Sequence, residues 1–221
     1  MNAEPTVFIV DDDVDALESL ECLLRSVGMR VEPYRAPAEF LQKYDASRPG
    51  CIVLDVRMPQ ISGLELQHEL TSRGTAPPII IITGHADVPV CAAAFRAGAF
   101  DFIEKPVNHQ LLLGRIQRAI EQDAARRRAW RVSAEIDARV CRLTPREREV
   151  MDMITAGQTL KQIAAALGVS IQTASKHRAR VLEKMEAPTD VALARLTLPL
   201  WAREVDSGNI IAATCDFFAS H

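Results

Sequence analysis

The sequence predicts two domains of different class. An α/β N-terminal domain, built on a doubly wound five-stranded parallel sheet, is joined by a helical linker to an all-α, four-helix helix-turn-helix domain. Three observations predict it. Short β-branched runs alternate with amphipathic stretches up to about residue 120, and two capping sequences and a glycine-containing turn punctuate a helical region after residue 140. Charge also divides along the chain: residues 1–125 carry 11 basic and 18 acidic side chains, a net of −7, and residues 126–221 carry 15 and 11, a net of +4, within an overall −3. A length of 221 residues suits two domains of roughly 100 residues each. With 48% hydrophobic and 25% charged residues, neither a disordered chain nor a coiled-coil fibre is expected.

The elements follow in order. Val7–Val10, Arg30–Tyr34, Cys51–Leu54, Ile79–Ile82 and Asp101–Glu104 read as strands, mostly continuous apolar runs of the kind that parallel sheets bury on both faces. Between them, Leu17, Leu20, Leu24 and Val27, then Leu64, Leu66 and Leu70, fall at helical spacing. The βαβ order argues a doubly wound sheet, whose ligands belong outside the carboxyl ends of its strands. From Asn108, the residues Leu112, Ile116, Ala119 and Ile120 begin a helix that meets no proline before Pro145, and the basic RRRAWR stretch at 126–131 reads as a solvated helical linker. The expected limits are 1–122 for the first domain, 123–140 for the linker, 141–202 for the helical domain and 203–221 for a C-terminal extension.

In the helical domain, Thr144, Pro145 and Glu147 form a capping box with proline at the first helical position. That helix is expected to stop at Gly157. A second follows Thr159, with Ile163, Ala164 and Leu167 inward, and ends at Gly168 in a Gly-Val-Ser turn whose Ser170 caps a third. Helix, three-residue turn, helix is the helix-turn-helix arrangement. The leucine-rich Asp190–Trp201 fits a fourth helix.

No apolar run approaches the ~18 residues of a membrane span, and the start lacks a basic segment followed by a long apolar one, so a cytoplasmic protein without a membrane partner is expected. Its five cysteines are odd in number and form no CxxC, which excludes a disulfide framework and a zinc ribbon and predicts reduced thiols.

The chemistry concentrates at strand ends. Asp11, Asp12 and Asp13 follow the first strand and Asp55 the third; neighbouring strand ends converge on one crevice, where several carboxylates repel one another unless a hard cation sits among them. Mg2+ suits such a set, taking one or two carboxylates with waters and a phosphoryl oxygen. Thr83 and Lys105 end two more strands at the same edge, and a hydroxyl and an ammonium are what a bound phosphoryl group requires. Asp13 is expected to cap the first helix. In the third helix of the second domain, Ala174, His177, Val181 and Met185 share an inward stripe, which makes His177 a packed histidine rather than a metal ligand. The opposite face carries Gln172, Ser175, Lys176 and Ala179, flanked by Arg178 and Arg180, and suits a DNA major groove, while Lys161, Arg178, Arg180 and Lys184 are candidates for phosphate contacts.

VDDD at 10–13, DVRMP at 55–59 followed by SG, ITGH at 82–85 and DFIEKP at 101–106 resemble the receiver domain of two-component response regulators, a flavodoxin-like fold. LTPREREV at 143–150, Gly157, KQIA at 161–164, LGVS at 167–170, and Thr173 with His177 resemble the C-terminal domain of LuxR/FixJ-type regulators. The first resemblance implies Asp55 as phosphoryl acceptor, Mg2+ held by Asp11, Asp12, Asp55 and the backbone carbonyl of Arg57, Thr83 and Lys105 on the phosphoryl oxygens, and Arg57 and His85 tuning dephosphorylation. It also implies a Thr83–Phe102 switch acting on the face of residues 87–97, 100–104 and 108–120, a cis Lys105–Pro106 bond, and no enzymatic activity beyond phosphorylation and slow dephosphorylation of Asp55. The second implies DNA contacts from Lys161, Gln172, Thr173, Ser175, Lys176, Arg178, Ala179, Arg180 and Lys184. Leu160 and Ala174 depart from the usual asparagine and valine, which removes a cap-side contact and lets the helix sit closer to its neighbour; Ser175 replaces the usual charged residue, which places the base-contact pattern, though not DNA binding, in question. Together the resemblances imply a transcriptional response regulator with a sensor histidine kinase, promoter DNA, a phosphorylation-dependent homodimer and RNA polymerase as partners.

Two other readings stay open at this stage. One is a DNA-binding regulator whose receiver works independently of phosphorylation or through a thiol. The other is a phosphatase with an aspartyl nucleophile, which lacks a general acid because Arg57 occupies the position two residues beyond Asp55.

Overall fold

The computed structural model describes residues 4–59, 61–74, 76–84 and 88–206, with the backbone alone for 88–90 and 199–206. Two compact units divide between Arg127 and Arg128. In the first, strands β1 (Thr6–Val10), β2 (Arg30–Tyr34), β3 (Gly50–Asp55), β4 (Ile79–Thr83) and β5 (Asp101–Glu104) form one parallel sheet in the order β2-β1-β3-β4-β5. Interleaved with them are α1 (Val14–Ser26), α2 (Pro37–Lys43), α3 (Gly63–Ser72), α4 (Val88–Arg96) and α5 (His109–Val140).

Alternation along the strands explains the two layers. Val7 and Ile9 of β1, with Val53, Ile80 and Ile82, pack under Leu17, Leu20 and Leu24 of α1 and Leu112, Ile116 and Ala119 of α5. Phe8 and Val10, with Ile52, Leu54 and Ile81, pack under Phe40 of α2, Leu66 and Leu70 of α3 and Ala94 of α4. Both faces of the sheet are covered, so the central strands are apolar at nearly every position.

β3 and β4 each run one residue further than the apolar runs suggest, so Asp55 and Thr83 are the last residues of their strands rather than the first residues beyond them. The N-terminal limit of α1 is as expected: Asp13 is its cap and accepts from Asp15 and Ala16 backbone N–H.

The segment 123–140 is helical as expected and Arg128–Arg131 are exposed, but its first turns differ from the solvated linker expected of them. α5 is one helix of 32 residues, and its middle is anchored to the first unit. Asp123 is 1% exposed and accepts from the Gly50 backbone N–H at 3.0 Å, from Arg127 Nε at 2.6 Å and from Arg126 Nη2 at 2.9 Å. Arg127 also donates to the carbonyls of Ala46, Ser47 and Arg48 at 3.0, 2.8 and 2.6 Å. A basic run looks solvated when the acceptors for its guanidinium groups lie 79 to 81 residues away in sequence, as these carbonyls do. The last turns of α5 belong to the second unit, where Ile136 is 2% exposed in the helical core.

That unit contains α6 (Pro145–Thr155), α7 (Leu160–Leu167), α8 (Ile171–Lys184) and α9 (Asp190–Asp206). Thr144 with Glu147 and Thr159 with Gln162 make reciprocal capping boxes, Gly168 ends α7 in the left-handed region, and Ser170 caps α8. The helices enclose Val150, Ile154, Ile163, Ala174, Val181 and Leu193. Leu160, standing at the departure noted above, packs against this core. α9 continues past Trp201 to Asp206; the remainder of the expected extension, with Cys215, lies outside the described residues.

Candidate phosphoryl-transfer site and nucleic-acid interface

Strand register assembles the first site. Val10 pairs with Leu54, so Asp11 and Asp55 emerge level at the crevice between β1 and β3, the point where the strand order reverses. Asp11, Asp12 and Asp55 each offer a carboxylate oxygen, all within 4.8 Å of one another; Asp11 and Asp55 are buried and Asp12 is exposed. Lys105 reaches this cluster from beyond β5, its Nζ 2.8 Å from Asp11 Oδ2 and 2.9 Å from Asp55 Oδ1. The Lys105 N–H donates to the Thr83 carbonyl, and the Lys105–Pro106 bond is cis.

The electrostatics leave room for a cation. Burial raises the Asp55 carboxyl above its ordinary range, the Lys105 hydrogen bond reverses only part of that, and repulsion from Asp11 adds to it. Burial alone lowers the Lys105 ammonium, but its hydrogen bonds to Asp11 and Asp55 outweigh this and raise it. With three carboxylates and one ammonium the cluster carries a formal −2, and two of the carboxylates are nearly dry. Oxygen donors in that number and charge fit Mg2+.

The remaining first-domain candidates fall around this cluster. Thr83 is 1% exposed at the end of β4, beside β3. A Cβ added to Gly84, the residue after Thr83, meets nothing within 4 Å among the described residues. Arg57 is exposed, and its backbone N–H donates to Asp55 Oδ2 at 2.7 Å, while the flanking Val56 and Met58 are buried. Phe102 is half-buried against the sheet face that carries α3 and α4. His85 and residues 86 and 87 lie outside the described residues.

One residue in this site is understated by the motifs alone. A Cβ on Gly63, the first residue of α3, would lie 2.1 Å from the Asp55 carbonyl oxygen, and the Gly63 N–H donates to the Val56 carbonyl. The SG after DVRMP therefore lets helix α3 lie directly against the backbone of the acceptor strand. The signal was present in the motif but its reason is spatial.

In the second unit, Gln172, Ser175, Lys176 and Ala179 share one exposed face of α8, and Thr173, Arg180 and, on α7, Lys161 are exposed as well. Two expected DNA contacts have partners inside the fold. Arg178 Nε bridges both oxygens of Asp190 at 2.9 and 3.1 Å. Lys184 Nζ donates to Glu147 Oε2 at 2.6 Å and to the Arg142 carbonyl at 3.1 Å. His177 is half-buried with its Nδ1 enclosed and unbonded, in keeping with a packed histidine.

The chain matches the family described as response regulator receiver domain over residues 7–117 and that described as bacterial regulatory proteins, luxR family, over residues 142–197. It is 40% identical over 195 residues to the transcriptional regulatory protein FixJ of Azorhizobium caulinodans, covering 87% of this chain and 91% of that one. It is 40% identical over 191 residues to nodulation protein W of Bradyrhizobium diazoefficiens, covering 86% and 84%. The solved structure of the response regulator StyR superposes with a TM-score of 0.80 at 38% identity, covering 88% of this chain and 98% of that one. No helix among the described residues is long and apolar enough to cross a membrane. With a sheet edge of clustered carboxylates in its first unit and a capped helix-turn-helix in its second, this chain belongs to the two-component response regulators that join a receiver domain to a LuxR-type DNA-binding domain, and is a transcriptional regulator rather than a catalyst.

Proposed function

We propose that a sensor histidine kinase delivers a phosphoryl group to Asp55, and that this promotes dimerisation and sequence-specific binding of promoter DNA. One observation carries the reading: Asp11, Asp12 and Asp55 gather within 4.8 Å at the carboxyl edge of the sheet, and Lys105 bridges two of them. In the transfer, an Asp55 carboxylate oxygen forms the new bond to phosphorus as the bond from phosphorus to the kinase histidine nitrogen breaks, and that nitrogen keeps the electron pair. Asp11, Asp12, Asp55 and the Arg57 carbonyl would hold Mg2+, which supplies neutralisation of charge on the phosphoryl oxygens. Lys105 exchanges a carboxylate partner for a phosphoryl oxygen, and the Thr83 hydroxyl donates to another. Phe102 follows Thr83 as the switch, and Arg57 and His85 set the lifetime of the acyl phosphate.

For DNA, we assign base reading to Gln172, Thr173, Ser175, Lys176 and Ala179, and phosphate contacts to Lys161 and Arg180. Arg178 stays bound to Asp190 through Nε and has its Nη groups for a phosphate, while Lys184 has one N–H beyond those given to Glu147 and the Arg142 carbonyl. A homodimer places two α8 helices about 34 Å apart in successive major grooves. RNA polymerase and the cytoplasm complete the setting.

The test is phosphoryl incorporation from acetyl phosphate. Wild-type protein should incorporate one phosphoryl group per chain in Mg2+ and none in its absence, and Asp55→Asn should incorporate none. Equal labelling of Asp55→Asn would overturn the assignment.

A further inference from the structure

We infer that the first unit carries a second binding site, for a small organic carboxylate with a flat apolar body, at the foot of β4 and β5. A half-open cleft of about 390 Å³ lies there, within the 300–1,000 Å³ range of small-molecule sites. Its walls include Pro77, Pro78, Ala99 and Phe100, and among the described residues that line it the one charged side chain is Arg126 of α5, joined by Gln122 one turn earlier.

Donor accounting points to an anion. The backbone N–H groups of Gly74, Gly98, Ala99 and Phe100 are all spent inside the fold, on Thr71, Phe95, Ala94 and Ile79 carbonyls, and the two prolines have none to give. Arg126 uses two of its five N–H donors, one on the Ala76 carbonyl and one on Asp123, which leaves three. Charge accounting agrees. Arg126 and Arg127 share the single buried carboxylate of Asp123, so the cluster holds a formal +1, and the Arg126 side chain is 38% exposed while that of Arg127 is 18% exposed and turned to the 46–48 carbonyls. A carboxylate would take the spare donors of Arg126 in the planar geometry the guanidinium favours. Its body would lie against the proline rings and Phe100.

This site is distinct from the carboxylate cluster. Ile79, which lines the cleft, begins β4 and Thr83 ends it, so about 13 Å of strand separates the two.

Benzoate is the probe, titrated by calorimetry at fixed ionic strength into the full chain. One saturable site per chain is expected, with a Kd of about 1 mM or tighter. Binding should weaken tenfold or more in Arg126→Gln, be lost in Ala99→Leu, which fills the cleft, and persist in Asp55→Asn. Benzyl alcohol, which keeps the ring and lacks the charge, should bind wild-type protein at least tenfold more weakly, a comparison that needs no variant to fold. Absence of saturable benzoate binding, equal affinity for benzyl alcohol, undiminished binding by folded Arg126→Gln, or loss in Asp55→Asn would each overturn the inference.

Discussion

Asp55 depends on backbone contacts as much as on charges. Because a Cβ at Gly63 would meet the Asp55 carbonyl oxygen at 2.1 Å, Gly63→Ala must push α3 or the end of β3 by more than half an ångström. Metal and phosphoryl chemistry tolerate little displacement, and a misplacement of 1 Å costs on the order of 100-fold in rate. Gly63→Ala is therefore expected to slow Mg2+-dependent phosphoryl uptake by about tenfold or more while the protein still melts cooperatively, measured by acetyl phosphate labelling beside a thermal melt. At this scale the sequence was legible where chemistry follows a strand: Asp11, Asp55 and Thr83 each sit at the end of an apolar run, Lys105 follows the mixed strand DFIE, and parallel pairing brings such ends together. Gly63 was visible as a letter of a motif and not as a contact, since nothing local records which backbone approaches it. Lys176 and Arg180 have similar charge in sequence and are assigned different contacts in the proposal, base and phosphate respectively. Lys176→Ala should cost about 1–3 kcal/mol on the specific site and relax its sequence preference, whereas Arg180→Ala should weaken all DNA and lower the salt slope by about one, read from titrations at several salt concentrations.

Among elements, α6 and α8 meet through an apolar core, Val150 and Ile154 with Ala174 and Val181, to which one charged bridge is added. Glu147, 3% exposed, closes the α6 capping box and accepts from Lys184 of α8. The Lys184 hydrogen bond first, and the Thr144 backbone N–H second, push its carboxyl down from 4.5 to about 2. Since the folded value lies below the unfolded one, the stabilisation is complete above about pH 4.5 and disappears as pH falls toward 2. Glu147→Gln should therefore lower the stability of the helical unit by about 1.5 kcal/mol at pH 7, the low end for a charge-assisted bond because Lys184 stays partly solvated, and the deficit should shrink below pH 4.5 in denaturant titrations. The Thr144–Glu147 capping box, the Gly168 stop and the Ser170 cap were all legible, because a cap is decided within four residues. The partners of Arg178 and Lys184 were not: Asp190 is 12 and Glu147 is 37 residues away, and on a helical projection a basic residue aimed at DNA looks the same as one tied to its own fold.

For the whole molecule, the opposed charges of the two halves have a structural counterpart in two compact units, and the boundary between them falls inside a continuous helix. Asp123 anchors the helix to the first unit four residues before that boundary. Asp123→Asn breaks a nearly dry carboxylate's bonds to Arg126, Arg127 and Gly50, and should destabilise the first unit by roughly 3 kcal/mol, the low end for a broken buried pair since Arg126 keeps some water. A fragment ending at residue 122 should show a similar deficit against one ending at 127 in urea titration. Composition could reveal two domains but not this edge, because a single aspartate amid arginines reads as solvated until the sheet beneath it is in place.

The central claim, that phosphorylation of Asp55 governs DNA binding by α8, is tested most directly by a promoter footprint at fixed salt, with and without acetyl phosphate and Mg2+, on wild-type and Asp55→Asn protein. The account predicts that the donor shifts protection of paired half-sites to lower concentrations of wild-type protein and leaves Asp55→Asn unchanged. Equal protection with and without donor in wild-type protein, or an equal shift in Asp55→Asn, would contradict it.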